Sequence, residues 1–239
     1  AGQVLSVRLD DPDRRSGVVP APGPLDIVYE DGDLIVLNKA AGVSVHPGPG
    51  HFDDTLGNFL LYHYDQEGET ADFHPIHRLD RGTSGLIVVA KHPHAQEVLK
   101  NQLHTEDFRR VYLAVCEGVP DPCRGTIDAP LGPKPGSLME QMVRPDGKPA
   151  CTKYGVLRRW GDRTLVSLEL ETGRTHQIRV HMAHIGYPLT GDFLYGTEDR
   201  TLISRPALHS GYLSFLHPIT GEKLQFGTPL PEDMARLRP

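Results

Sequence analysis

The chain has 239 residues, 38% of them hydrophobic and 23% charged, which is enough for one sizeable core and outside the range of a disordered segment. Three cysteines without a CxxC pair disfavour a disulfide framework and point to a reducing compartment, and no run of about 18 apolar residues reads as a membrane span, so a cytoplasmic protein is expected. The net charge of −6 argues against a polyanionic partner only until its distribution is read: residues 1–73 carry 13 acidic and 4 basic groups, whereas 74–112 carry 6 basic and 4 acidic, and 140–190 carry 8 basic and 5 acidic.

With 25 glycines and 21 prolines, many turns between short elements are expected. Residues 1–24 read as an N-terminal arm: GQVLSVRL alternates like one strand, and DDPDRRSGVVPAPGP (10–24) is charged and then rich in proline and glycine. Residues 25–239 read as one domain. Two apolar runs flank Asp31-Gly32, a strong hairpin signal. Thr55 to Tyr64 fits a helix with Leu56, Phe59, Leu60 and His63 on one face, and Ser84 to Lys91 fits a buried strand. Pro93 is placed to open a helix that carries Ala95, Val98, Leu99, Gln102 and Leu103, and Arg110 to Cys116 returns as a strand. Further on, Lys153 to Trp160 and Arg163 to Glu171 form a hairpin about Gly161-Asp162. Arg174 to Ile185 reads as a helix stopped by Gly186 and Pro188. Leu208 to Leu216 and Lys223 to Phe226 pair around PITGE, and Pro231 to Leu237 closes as a helix. Hairpins mixed with isolated helices predict an α+β fold, a mostly antiparallel mixed sheet with flanking helices.

The chemistry concentrates in HRLDRGTSGLIVVAK, His77 to Lys91, where Asp80 stands between Arg78 and Arg81 ahead of an apolar strand. Positive charge on both sides favours the ionised form of a carboxylate, as a nucleophile or base requires. This run resembles the signature of the RluA-type pseudouridine synthases, and the likeness recurs in blocks from about residue 26 to residue 229. The resemblance implies a pseudouridine synthase catalytic fold with a central cleft, and isomerisation of uridine in structured RNA with no cofactor and no metal. It carries the nucleophile or base role onto Asp80. Arg179, in TGRTHQIRVHMAHIGYPLTGDFLYG, is implied to pair with Asp80 and orient it. Tyr112, in RRVYLAVCEG, is implied to stack on the target base and to serve proton transfer, and Leu213, in LHSGYLSFLHPITGE, to wall the pocket. A base inside a helix or tight loop must be turned out to react. By the resemblance Arg78 fills the gap it leaves. The stretch HPGPGHFDDTLGNFLLYH, His46 to His63, is similar to the branch acting on large-subunit ribosomal RNA, with transfer RNA as the alternative substrate. The leading GQVLSVRL looks like the tail of an S4 RNA-binding domain. A monomer is expected.

Two positions depart from the family wording. NKAAG (Asn38 to Gly42) has Ala40 where proline is usual, and Gly82 stands where an acidic residue is common. Neither removes a reacting group, although both bear on loop stiffness. Other chemistries fit less well. His181 and His184 share a helical face, but His176 lies roughly 140° away by helix geometry, and no HExxH occurs. Gly82-Thr83-Ser84-Gly85 lacks the GxSxG spacing of a serine hydrolase. The remaining rival is an inactive relative that binds RNA as a chaperone, against which the joint presence of Asp80, Tyr112 and Arg179 argues.

Overall fold

The computed structural model describes residues 2, 14 and 16–238, so the strand expected at the N-terminus lies, but for Gly2, outside the described residues. The Asp31-Gly32 hairpin forms as expected, with β1 (Ile27–Glu30) antiparallel to β2 (Leu34–Lys39). Asp31 Oδ1 holds its turn by accepting the amides of Asp33 and Leu34 at 2.8 and 2.9 Å. Helix α1 (Leu56–Glu67) opens with the Thr55 amide donating to Asn58 Oδ1 and closes on Gly68 at φ 71°. Asn58 Nδ2 also donates to the Val19 carbonyl at 2.7 Å, which ties the described part of the arm to the domain.

The short β3 (His74–Pro75) and the fully buried β4 (Ser84–Ala90) bracket the loop that carries Asp80. Along β4 the side chains alternate. Ile87 and Val89 enter a core cluster with Leu60 of α1, whereas Leu86, Val88 and Ala90 enter a second with Ala95 and Leu99 of α2 (Pro93–Gln102). Each of these leucine, isoleucine and valine side chains contributes about 1.5–3 kcal/mol relative to exposure, so this strand anchors both layers. Next come β5 (Arg109–Glu117), β6 (Arg124–Asp128), β7 (Leu131–Pro133), β8 (Gln141–Val143), β9 (Cys151–Trp160) and β10 (Arg163–Leu170). After helix α3 (Gln177–His184) the chain ends with β11 (Leu208–Leu216), β12 (Lys223–Gly227) and a short α4 (Glu232–Ala235).

The main sheet runs β1-β2-β4-β11-β5-β10-β9-β6, with β3 added to β4 and β12 to β11, while β7 and β8 pair separately. All pairings are antiparallel except β4 with β11. The fold is thus the expected α+β, mostly antiparallel arrangement. Gly85 sits at the parallel pairing with φ 111°, and a Cβ there would come within 2.3 Å of the Ser210 carbonyl oxygen. Only glycine lets the two strands approach so closely.

Two elements differ from expectation. The helix predicted from Arg174 begins only at Gln177, because His176 takes a left-handed backbone (φ 55°, ψ 18°) that a continuing helix forbids. Strands β6 to β8 were not expected, since Pro120, Pro122, Pro130, Pro133 and Pro135 break up the alternation there. Among the described residues no helix is long and apolar enough to cross a membrane.

Candidate active site

Asp80 lies in the turn before β4 and is clamped from both sides. Its carbonyl accepts the Thr83 amide at 3.0 Å. The next residue, Arg81, exchanges bonds with Gly42: its carbonyl accepts the Gly42 amide at 2.8 Å and its Nε donates to the Gly42 carbonyl at 2.9 Å. Lys39, buried at the end of β2, donates from Nζ to the carbonyls of Ala40 and Val43 at 2.8 and 2.7 Å. On the far side Arg205, paired with Asp233, donates to the carbonyls of Gly82 and Leu208 at 3.1 and 3.0 Å. The turn is therefore held rigidly, as a reacting group requires. Gly82 fits this packing, because a Cβ there would stand 3.2 Å from Pro206 Cδ.

A cleft of about 570 Å³ opens over Asp80, and its walls include Arg78, Arg81, Arg110 and Arg174 with Tyr112. A smaller pocket of about 50 Å³ continues it, where Asp80 and Tyr112 meet His176, Ile178 and Arg179. The Asp80 carboxylate is 30% exposed, with Oδ2 3.8 Å from Arg179 Nη1 and 4.0 Å from His176 Nε2. Its ion partner is thus Arg179 of α3, with the His176 ring at the N-cap of that helix also close by, rather than the flanking Arg78 and Arg81.

Arg179 is itself fixed by a carboxylate missed at the sequence level. Its Nε and Nη2 donate to Asp192 Oδ2 and Oδ1 at 2.7 and 2.8 Å, a bidentate pair in which Asp192 is fully buried. Asp192 Oδ1 also accepts the amides of Leu194 and Tyr195. The guanidinium lies over the rings of Tyr195 and Phe193, 5.0 and 5.7 Å from their centroids. Burial works against the charge of Arg179, but the bonds and charge of Asp192, with the charge of Asp80, hold its pKa above the ordinary value.

Residues 33–184 match the sequence profile of RNA pseudouridylate synthase. The chain belongs to the RNA pseudouridylate synthase family. It is 44% identical over 236 residues to the uncharacterized RNA pseudouridine synthase YjbO of Bacillus subtilis, covering 99% of this chain and 83% of that protein. It is also 44% identical over 227 residues to the ribosomal large subunit pseudouridine synthase D of Vibrio cholerae, covering 90% and 70%. Among solved structures, human RNA pseudouridylate synthase domain containing 1 aligns with a TM-score of 0.70 at 30% identity, over 87% of this chain and 85% of that one. The protein is accordingly an RNA isomerase that converts uridine to pseudouridine.

Asp80, Tyr112 and Arg179 line one small pocket together with the exposed Arg78. Tyr112 is 4% exposed, and burial raises its hydroxyl pKa, with Asp80 adding to the rise and Arg110 opposing it. Leu213 does not line the cleft. It is fully buried in the second core cluster with Phe108 and Phe215, because β11 passes from one cluster to the other along its length. The apolar walls are instead Leu170, Ile178 and Leu208.

Arg110 was also missed, although its place two residues before Tyr112 on the same strand put it on the same face. Its Nη2 and both ring nitrogens of His77 are buried without a hydrogen-bond partner among the described residues. Burial, reinforced by Arg110, pushes the His77 pKa down to about 3, so its ring is neutral beside a fixed cation. The three histidines of the α3 region diverge: His181 is wholly buried, its Nδ1 facing Thr152 Oγ1 and its Nε2 the Ala129 carbonyl, and ties α3 to the sheet.

Proposed function

We propose that this enzyme isomerises a specific uridine of large-subunit ribosomal RNA, with Asp80 as the nucleophile or base. One observation carries the reading: a single carboxylate, oriented by the buried Arg179 and Asp192 pair, stands beside Tyr112 in a cleft lined by four arginines. The reaction breaks the C1′–N1 bond, turns the base and joins C1′ to C5, and a positioned carboxylate serves it by adding to the sugar, adding to the base or removing the C2′ proton. Tyr112 offers a ring face for the extruded uracil, and Arg78 a cation at the rim to occupy the space the base leaves. The chain acts in the cytoplasm as a monomer without metal or cofactor, and residues 25–239 make up its catalytic domain.

Support for the ribosomal substrate comes from the relatives named ribosomal large subunit pseudouridine synthase D, at 42–44% identity. The test is to map pseudouridine across cellular RNA with the protein present, absent, and replaced by Asp80→Asn. Loss of one or a few large-subunit sites in the latter two samples is expected. Loss confined to transfer RNA overturns the substrate, and full modification by Asp80→Asn overturns the role of Asp80.

A further inference from the structure

The isomerisation ends with the loss of a proton from carbon. Once C5 has joined C1′, C5 carries both the new bond and its original hydrogen, and that proton must leave. We propose that His176 Nε2 accepts the C5 proton, making His176 a further catalytic residue; this rests on the uridine-isomerising reading of the site.

Three observations converge on His176. Apart from Arg14 in the arm, it is the only non-glycine among the described residues with positive φ, a conformation that costs about 1–2 kcal/mol for an ordinary residue. Such strain, held in place by surrounding structure, is characteristic of functional positions. It is held here by Gln177, whose Oε1 accepts the Arg174 amide and the Thr172 hydroxyl, and whose Nε2 donates to the Cys151 carbonyl and to Thr152 Oγ1. Second, the twist aims the ring into the small pocket, where Nε2 stands 4.0 Å from Asp80 Oδ2 and the side chain keeps 14% exposure. Third, Nδ1 is 2.8 Å from the Tyr195 hydroxyl oxygen, which itself accepts the Gln141 amide at 2.8 Å. With the proton on Nδ1 donated to that oxygen, Nε2 presents a free lone pair to the pocket.

Elimination favours the same group. In the small pocket Arg78, Arg174 and Arg179 are permanent cations. Tyr112 has its hydroxyl pKa raised, which keeps the phenol protonated, and Asp192 is committed to Arg179. Asp80, released once C5 has joined C1′, is a carboxylate again 4.0 Å from His176 Nε2 and serves as the counter-charge to the ring that takes the proton. Burial lowers the His176 pKa, against the pull of Asp80 and with help from Arg179, so the ring enters the reaction neutral and able to accept. The electrons balance: the C5–H pair becomes the C5=C6 double bond, the C6=N1 pair moves onto N1, and N1 takes up a proton through water as the imidazolium gives one back. While charged, the ring is stabilised by the Asp80 carboxylate on one side and the Tyr195 oxygen on the other.

The test uses the RNA identified by mapping, prepared with hydrogen or deuterium at uridine C5, on which conversion by the wild-type protein has been established beforehand. That order keeps a failure of the functional reading separate from a failure of this one. His176→Asn keeps a residue that tolerates the left-handed backbone, and His176→Gly relieves the strain, so neither is expected to unfold the protein. Both are expected to lower kcat 100-fold or more, with RNA affinity and Tm little changed and a C5-deuterium isotope effect on kcat that exceeds the wild-type value. A kcat within threefold of wild type overturns the proposal. So does a large loss without an increased isotope effect, which would make His176 a positioning residue for Asp80 only.

Discussion

Asp192→Asn is the most informative single change, because it removes one charge and little else. The asparagine Oδ1 retains the position that accepts the Leu194 and Tyr195 amides and Arg179 Nη2, while its Nδ2 replaces the oxygen that accepts Arg179 Nε at 2.7 Å. A donor then faces a donor, and a guanidinium with only 5% of its side chain exposed loses its nearest counter-charge. Breaking a buried pair in this one-sided way costs about 3–5 kcal/mol. For a domain of this size that lowers Tm by roughly 6–20 °C, at about 2–4 °C per kcal/mol. The remaining carboxylate within reach is Asp80, 3.8 Å from Nη1, so Arg179 is expected to swing toward it and hold it back from the substrate. Thermal and urea denaturation check the stability, and pseudouridine formation well below the lowered Tm checks the activity. A Tm within 2 °C of wild type, or full activity, would refute the claim that Asp192 sets the geometry of Arg179.

Three other outcomes follow from the same structure. Asp80→Asn should abolish product formation while leaving RNA binding, measured by filter retention, and Tm nearly intact, because this half-open side chain makes only a long ion pair. Gly85→Ala should destabilise by several kcal/mol in urea melts, since its Cβ would overlap the Ser210 backbone at a φ of 111°. Acid should weaken the fold early: His77 and His209 have folded pKa values near 3 and 4, below the ordinary 6.5, so stability present above pH 6.5 is lost as pH falls toward those values, on the order of 3 kcal/mol per histidine by pH 4. Urea melts between pH 7 and 4 should show that slope, and His77→Gln should flatten it; an unchanged slope counts against a neutral buried His77.

The fold was readable where a local signal coincides with the tertiary arrangement. Asp31-Gly32 needs nothing beyond its own turn, Pro93 opens α2 by its own geometry, and β4 reads as an unbroken apolar run because both its faces are covered. At the site, Asp80, Tyr112 and Arg179 were found through motif wording, and the structure brings them together. What escaped depends on partners distant in sequence. Asp192 acquires its meaning only when the chain folds back onto Arg179, and His176 looked like an ordinary first-turn residue because nothing in THQIR announces a left-handed backbone. An acidic residue between Gly191 and Phe193, in a run otherwise uncharged, was the one available hint of a buried partner for an arginine. Leu213 illustrates the converse error, since apolar residues of β11 serve either cluster and periodicity does not tell which cluster faces the substrate.

The charge distribution resolves how a chain of net charge −6 handles a polyanion. Among the described residues, most acidic groups of its first third are committed to internal contacts. Glu30 and Glu69 share Lys91 at 2.9 and 2.7 Å, Asp72 accepts the Ser16 amide and hydroxyl, Asp65 pairs with Arg14, and Asp31 and Asp33 meet His217 and His92. The cleft is the reverse, with four arginines and the single carboxylate of Asp80. Phosphate groups approaching it therefore meet an excess of positive charge despite the sign of the whole molecule, and the field is shaped locally within a Debye length of about 8 Å at physiological salt. The same excess explains why Asp80 needs its own fixed counter-charge. Arg78, Arg81 and Arg174 are exposed and available to RNA phosphates, whereas the buried Arg110 contributes only its field, and Arg179 is withheld by Asp192 and stays with the reacting carboxylate.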